Sequence, residues 1–361
     1  MAKRLVLCCD GTWNRPDQEC DGAPCPSNVV KMALAVAGGS QLDTEQRVYY
    51  QRGVGTNWDE RIRGGVFGWG LSRGVKNVYR FVVDNYEPGD ELFFFGFSRG
   101  AYMARSAVGL IRNAGILKRE HADQLEAAYA LYRERTVGPR DLESTLFRRA
   151  FSHALEPVTF VGVWDTVGAL GIPVTGIPGV EQLNSLWGFH DTKLSSMVSA
   201  AYQALAIDEQ REAFTPAIWD PSTDEAGDQV VEQVWFTGSH SDVGGGYPDT
   251  GLSDLTLGWM ADQARSHGLV LVDGAFEAGG TGVPESDVVP FAPDAFGTLH
   301  NSRTGVYRFL PAGWRPIGET SPATEYAAST AIERRDNDPG YDPANLDAYL
   351  AGTHQVMPIP T

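Results

Sequence analysis

The stretch Glu91-Leu-Phe-Phe-Phe-Gly96-Phe97-Ser98-Arg99-Gly100-Ala101 constrains this chain more than any other. An apolar, aromatic run stops at Gly96, and apolar residues return at Ala101, Ala104, Val108 and Ile111, one face of a helix. Strand, G-x-S-x-G and helix in that order make a nucleophile elbow, a turn that lifts its serine clear of the sheet. So tight a turn needs small flanking residues, and Gly96 and Gly100 supply them. Ser98 is therefore the candidate nucleophile, and the Arg99 N–H at the helix start is a candidate oxyanion donor. The plainer alternative makes Ser98 an ordinary residue of a strand-to-helix turn.

Other apolar runs end in polar signatures too. Leu5 to Cys9 reads as a strand covered on both faces, ending in Asp10-Gly11-Thr12-Trp13-Asn14. A D-x-D-x-T phosphatase loop would need aspartate where Cys8 stands, so that chemistry lacks its nucleophile. The Gly11 or Thr12 N–H can instead supply a second oxyanion donor, the alternative being a turn in which Asp10 caps its own backbone. Arg47 to Gln51 reads as the next strand, followed by Gly53-Val-Gly55-Thr56. Arg63 to Leu71 holds four glycines but no following Lys-Ser/Thr, which points to a rim loop rather than a phosphate cradle. Val75, Val78, Tyr79 and Val82 mark a helix ahead of the elbow strand.

Beyond the elbow, charged amphipathic helices are predicted over His121–Glu134 and Asp141–Ala154, with His121 and His153 on solvated faces. Val158 to Val163 is a strand running into Trp164-Asp165-Thr166. An excursion over about 171–230 reads as helical from Lys193 to Arg211, with His190 as a structural residue. Gln233 to Phe236 is a strand ending in Gly238-Ser-His240-Ser-Asp242-Val-Gly-Gly-Gly246-Tyr247, and a helix follows over Ser253–Ser266. This alternation predicts an α/β fold: one α/β-hydrolase-like domain over 1–361 with a doubly wound, mostly parallel sheet. Helical insertions at about 116–155 and 171–230 would form a cap.

A serine hydroxyl needs a base within reach, usually a histidine oriented by a carboxylate. Each later strand offers one candidate, Asp165 and then His240, in the Ser, Asp, His order of α/β-hydrolases. Asp242 or Asp254 is the alternative orienting acid, and His300 the alternative base. His240 stands first because it follows an apolar strand and precedes glycines that let substrate approach. Asp242 reads as bracing that loop. There is no H-E-x-x-H, zinc spacing or EF-hand loop. Asp10, Asp165 and Asp242 gathered at one sheet edge would be the metal-dependent alternative, and a non-catalytic binding scaffold is another. No cofactor is expected.

A formal charge of −17 argues against nucleic acid as partner and gives no pull toward anionic lipid. A small-molecule or lipid ester remains the expected substrate. No run is long enough for a membrane span, and the apolar start is too short for a signal peptide. Cys20 and Cys25 flank a Gly/Pro-rich loop and could pair, but the four cysteines otherwise read as reduced thiols of a cytoplasmic chain.

With these residues assembled, the chain resembles the uncharacterised α/β-hydrolase domain family that includes type VI secretion phospholipase effectors. Cys9-Asp-Gly-Thr-Trp-Asn14, Gly53-Val-Gly-Thr56, Gly96-Phe-Ser-Arg-Gly-Ala-Tyr102 and Val163-Trp-Asp-Thr-Val-Gly168 carry the likeness. Phe189-His-Asp191, Ala204-Leu-Ala-Ile-Asp-Glu-Gln-Arg211 and His240-Ser-Asp-Val-Gly-Gly-Gly-Tyr247 continue it to about residue 260, and His300-Asn-Ser302 matches beyond. The resemblance implies an α/β-hydrolase fold, a triad at Ser98, Asp165 and His240, and, for some members, phospholipase action. Members often carry histidine just before Ala-Leu-Ala, where this chain has Tyr202-Gln203, a change expected at the substrate mouth. The effectors also bear large membrane-docking additions for which this length leaves little room.

Overall fold

Apolar runs with no polar face can only be covered from both sides, and they form the centre of the molecule. A computed structural model describes residues 2–12, 14, 18–20, 22–38, 44–53, 66–134, 136–168, 194–220, 229–276 and 291–360. First come β1 (Arg4–Cys9), a hairpin of β2 (Glu19–Cys20) and β3 (Ala23–Pro24), and α1 (Asn28–Ala35). Next are β4 (Gln46–Gln51), α2 (Val66–Asn85), β5 (Glu91–Phe97) and α3 (Arg99–Ala114). Helices α4 (Leu125–Arg133) and α5 (Leu142–Phe151) pack against α3 and lead to β6 (Val158–Trp164). Then follow β7 (Val198–Ala206), β8 (Val230–Phe236), α6 (His240–Gly244) and α7 (Gly251–Ser266). Last are β9 (Glu325–Ala328), α8 (Ser329–Asn337), α9 (Ala344–Leu350) and β10 (Val356–Met357).

Among the described residues eight strands form one sheet in the order β10-β9-β8-β7-β6-β5-β1-β4, and every neighbouring pair is parallel. Alternate strand residues feed two cores. Val6, Cys8, Phe93, Phe95 and Phe160 pack with Met32 of α1 and Trp259 and Met260 of α7. Leu5, Leu7, Phe94 and Val161 pack with Val78 and Val82 of α2 and Ala104 and Ile111 of α3. Each fully buried aromatic or branched side chain contributes about 1.5–3 kcal/mol. Within this sheet β4 pairs on one side of β1 and β5 on the other, the switch in direction at which a crevice opens at the carboxyl ends of the strands.

Several expectations need correction. Lys193–Arg211 was expected as helix, but Val198–Ala206 is a strand inside the sheet, buried at all but one position. Short apolar runs rich in alanine carry no period that separates a buried strand from a helix. The glycine-rich stretch expected to continue as a loop to Leu71 is already helical from Val66, while its residues 63–65 lie outside the described ones. Gly55, Thr56, His190 and the first part of the 171–230 excursion lie outside them as well. Cys8 and Cys9 are free, but Cys20 and Cys25 form a disulfide rather than reduced thiols. Gly22 turns the chain between them at φ 82°, which brings their Cα atoms within 5.9 Å.

The helices predicted over 120–154 are present in shortened form. Their histidines are half-buried, His121 edge-on to Phe151 and His153 to Tyr86, not fully solvated. No described helix is long and apolar enough to cross a membrane.

The disulfide closes a short loop, so its entropic effect is modest, about 2 kcal/mol. Urea unfolding with and without a phosphine reductant should differ by that amount. Identical curves would mean that the two thiols are free in solution.

Candidate active site

At the end of β5 the backbone turns abruptly, with Ser98 at φ 57° and ψ −122°, a region that non-glycine residues rarely enter. Its N–H still bonds the Trp164 carbonyl at 3.0 Å, extending the β5–β6 ladder by one rung before the helix starts. Both flanking glycines are sterically required. A Cβ on Gly96 would lie 2.6 Å from the Ala101 Cα, and one on Gly100 would collide with the Cys9 carbonyl oxygen.

Asp165 follows β6 at φ 39°, again strained, and is fully buried. Its Oδ2 lies 2.5 Å from His240 Nδ1. A carboxylate only accepts, so Nδ1 carries the proton and Nε2 is left as the acceptor. His240 opens α6 just past β8 and is held between two aromatic rings, with centroid distances of 4.6 Å to Phe97 and 4.9 Å to Phe214. Phe97 immediately precedes the serine, so the histidine's helix rests on the elbow. Gly244 allows this approach, since a Cβ there would strike the Phe97 ring.

Electrostatics favour a neutral base beside a charged acid. Burial lowers the His240 pKa more than Asp165 raises it. Burial alone would raise Asp165, but the Arg315 guanidinium and His240 hold it well below the usual carboxylate range. Arg315 donates from Nη1 to Oδ1 at 2.7 Å and from Nη2 to Oδ2 at 3.0 Å. Nothing in the sequence marks this arginine, which has no motif around it. Glu209 lies in the Ala204–Arg211 signature, yet no sequence feature assigns it a role. Its Oε2 accepts the His240 N–H at 3.2 Å and its Oε1 accepts the Ser302 hydroxyl at 2.8 Å. Burial works to raise Glu209, yet the Arg211 ion pair leaves it lowered.

The strip after β1 lies beside the serine, where a Cβ on Gly11 would come 3.3 Å from Ser98 Cβ. Asp10 accepts from the Gly11 N–H at 2.7 Å, Asn14 at 3.2 Å, Ser27 at 2.9 Å and Tyr50 at 2.5 Å. The Gly11 N–H is thereby engaged. Among the described residues the buried Thr12 hydroxyl has no partner.

The alternatives are placed elsewhere. Asp242 receives the Ser239 N–H and hydroxyl, and pairs with His300 Nδ1 at 2.6 Å. His300 stacks on Tyr247 at 3.9 Å and is thus paired to a different carboxylate from His240. Asp254 forms a buried ion pair with Lys31 at 2.6 Å. Asp10, Asp165 and Asp242 do not gather; among the described residues no group of three or more His, Cys, Asp or Glu could hold a metal. Tyr202, expected near the substrate mouth, is a core residue bonded to His267 at 3.0 Å, and Gln203 ties Thr166 to Gln233.

A strained serine turn, with a carboxylate–imidazole pair over its flank and glycine-rich backbone beside it, has the parts of an acyl-transfer site. The chain belongs to the family described as type VI secretion system (T6SS) phospholipase effector, Tle1-like, catalytic domain, which matches residues 3–263. An uncharacterized protein of Saccharomyces cerevisiae is 28% identical over 242 residues, covering 61% of this chain and 33% of that protein. An uncharacterized protein from Pseudomonas aeruginosa superposes with a TM-score of 0.44 at 20% identity, covering 75% of this chain and 46% of its own. The Tle1 effector bound to the VgrG spike of the type 6 secretion system gives 0.41 at 19% identity, covering 69% and 52%. The chain thus spans a third of the curated relative and about half of each of these structures.

Because a side chain at Gly100 meets rigid backbone, Gly100→Ala should cost about 3 kcal/mol. Thermal unfolding checks this; a melting temperature within a degree of wild type would contradict the elbow's packing.

Proposed function

We propose that this chain is a serine hydrolase of the α/β-hydrolase type that cleaves acyl esters of lipids. The observation that carries the reading is the buried Asp165–His240 pair, held against the residue that precedes a strained serine. The family's description supports a phospholipid as substrate.

In this reading His240 Nε2 takes the Ser98 proton as Oγ attacks the ester carbonyl. Asp165 keeps the proton on Nδ1 and stabilises the imidazolium that forms. The carbonyl oxygen, now anionic, receives hydrogen bonds from the Arg99 and Thr12 N–H groups. Thr12 is preferred to Gly11 because Asp10 already occupies the Gly11 donor. The tetrahedral intermediate collapses, the alcohol leaves with the proton from His240, and the acyl group stays on Ser98. Water, deprotonated by His240, then attacks the acyl-enzyme and frees the carboxylic acid.

Turnover of p-nitrophenyl esters should fall at least about 1,000-fold in Ser98→Ala, and a fluorophosphonate should label wild type at Ser98 alone. Full activity in that variant would overturn the mechanism. Since burial lowers the His240 pKa, kcat/KM should rise from the acid side with a midpoint below about 6.5, the ordinary histidine value. A midpoint above that value would show a base other than this imidazole.

A further inference from the structure

We propose that Arg315 is a positioning residue of the catalytic pair, supplied by a stretch of chain that lies beyond the matched residues 3–263. The inference rests on the serine-hydrolase reading and adds to it a residue that fixes the base through its acid.

The geometry is specific. Arg315 is only 4% exposed, and its two terminal nitrogens meet the two Asp165 oxygens side by side. Such a fork sets the plane of the carboxylate as well as neutralising it, which the point charge of lysine cannot do. With that plane set, Oδ2 presents one direction to His240 Nδ1, and the imidazole is aimed accordingly. The arginine is itself fixed. It also donates to the Ala206 carbonyl at 2.9 Å and to the Phe214 carbonyl, so it spans the end of β7 and the ring-bearing turn that packs on His240. Asn345 of α9 bonds the Arg315 carbonyl at 3.1 Å and the Ile207 carbonyl at 2.9 Å, locking residue 315 to the strand end.

Neighbouring residues of the same stretch act alike. Ser302 holds Glu209, whose other oxygen accepts the His240 N–H, and His300 holds Asp242 at the base of α6. The charged groups facing the pair are Arg315, Glu209 and Arg211, the last lying over the Phe214 and Tyr307 rings. Without Arg315, Asp165 would be a buried carboxylate whose strongest remaining partner is the imidazole. His240 would then stay protonated to higher pH, and its ring would lose the carboxylate plane that aims it.

The test pairs a ¹⁵N-resolved NMR titration of the His240 imidazole, assigned with His240→Asn, with kinetics on a p-nitrophenyl ester and fluorophosphonate labelling of Ser98. Wild type, Arg315→Gln and Arg315→Lys are compared. In Arg315→Gln the His240 midpoint should move up by about one unit, and kcat should fall about 100-fold with KM changed less than about threefold. Arg315→Lys should shift the midpoint less and keep about a tenth of wild-type kcat, since it restores the charge but not the fork. A folded Arg315→Gln whose His240 midpoint is unmoved overturns the proposal. Should Arg315→Gln not fold, full wild-type kcat in Arg315→Lys overturns it instead. Wild type that neither labels at Ser98 nor turns over ester sinks the hydrolase reading, and Arg315's catalytic part with it. The titration still reports separately whether Arg315 governs the pair.

Discussion

A carboxylate with no exposed surface is the constraint on which the rest of the site depends. Moving an ionised Asp165 out of water costs several kcal/mol, and only close, well-directed partners offset it. Arg315, His240 and the Ala206 N–H supply them between them. Those three partners come from three separate parts of the chain, each of which the others hold in place. The ion pair thus acts less as a source of net stability than as a device that permits one arrangement of the strand ends. Taking away either partner leaves a buried charge uncompensated, which is why the arrangement is all-or-none.

The same device recurs around the crevice. Loops at the carboxyl ends of parallel strands carry backbone N–H groups that no ladder satisfies. Here carboxylates accept several of them: Asp10 takes Gly11, Asp208 takes Gly238, Asp242 takes Ser239 and His300, and Glu209 takes His240 and Arg211. Part of the excess of acidic residues in this chain is therefore structural and points inward. Burial raises Asp208 to about 6 and raises Asp10 as well, because the bonds of both come from neutral amides and hydroxyls rather than a cation.

Much of this was legible in the sequence for a physical reason. Strands buried on both faces read as unbroken apolar runs, and the residues just past them must be polar or glycine, so Ser98, Asp165 and His240 stood out by position. What stayed hidden was of two kinds. Val198–Ala206 is made largely of small residues whose pattern fits either period, and only pairing with β6 and β8 decides it. Arg315, Ser302 and Asn345 act through contacts distant in sequence, and a lone arginine, serine or asparagine carries no local signature. The Cys20–Cys25 bond is not legible from two cysteines alone, which make no framework; the glycine turn between them decides it.

The bond from Arg315 to Asp165 closes a span of 150 residues, and β9, which follows it, is needed to cover the far edge of β8. Parallel sheets already assemble late because each pairing must wait for a crossover. In this molecule the elbow is translated long before the arginine leaves the ribosome. For that interval the nascent chain holds a buried aspartate without its guanidinium partner, so the arrangement at the strand ends is complete only once synthesis has passed the arginine.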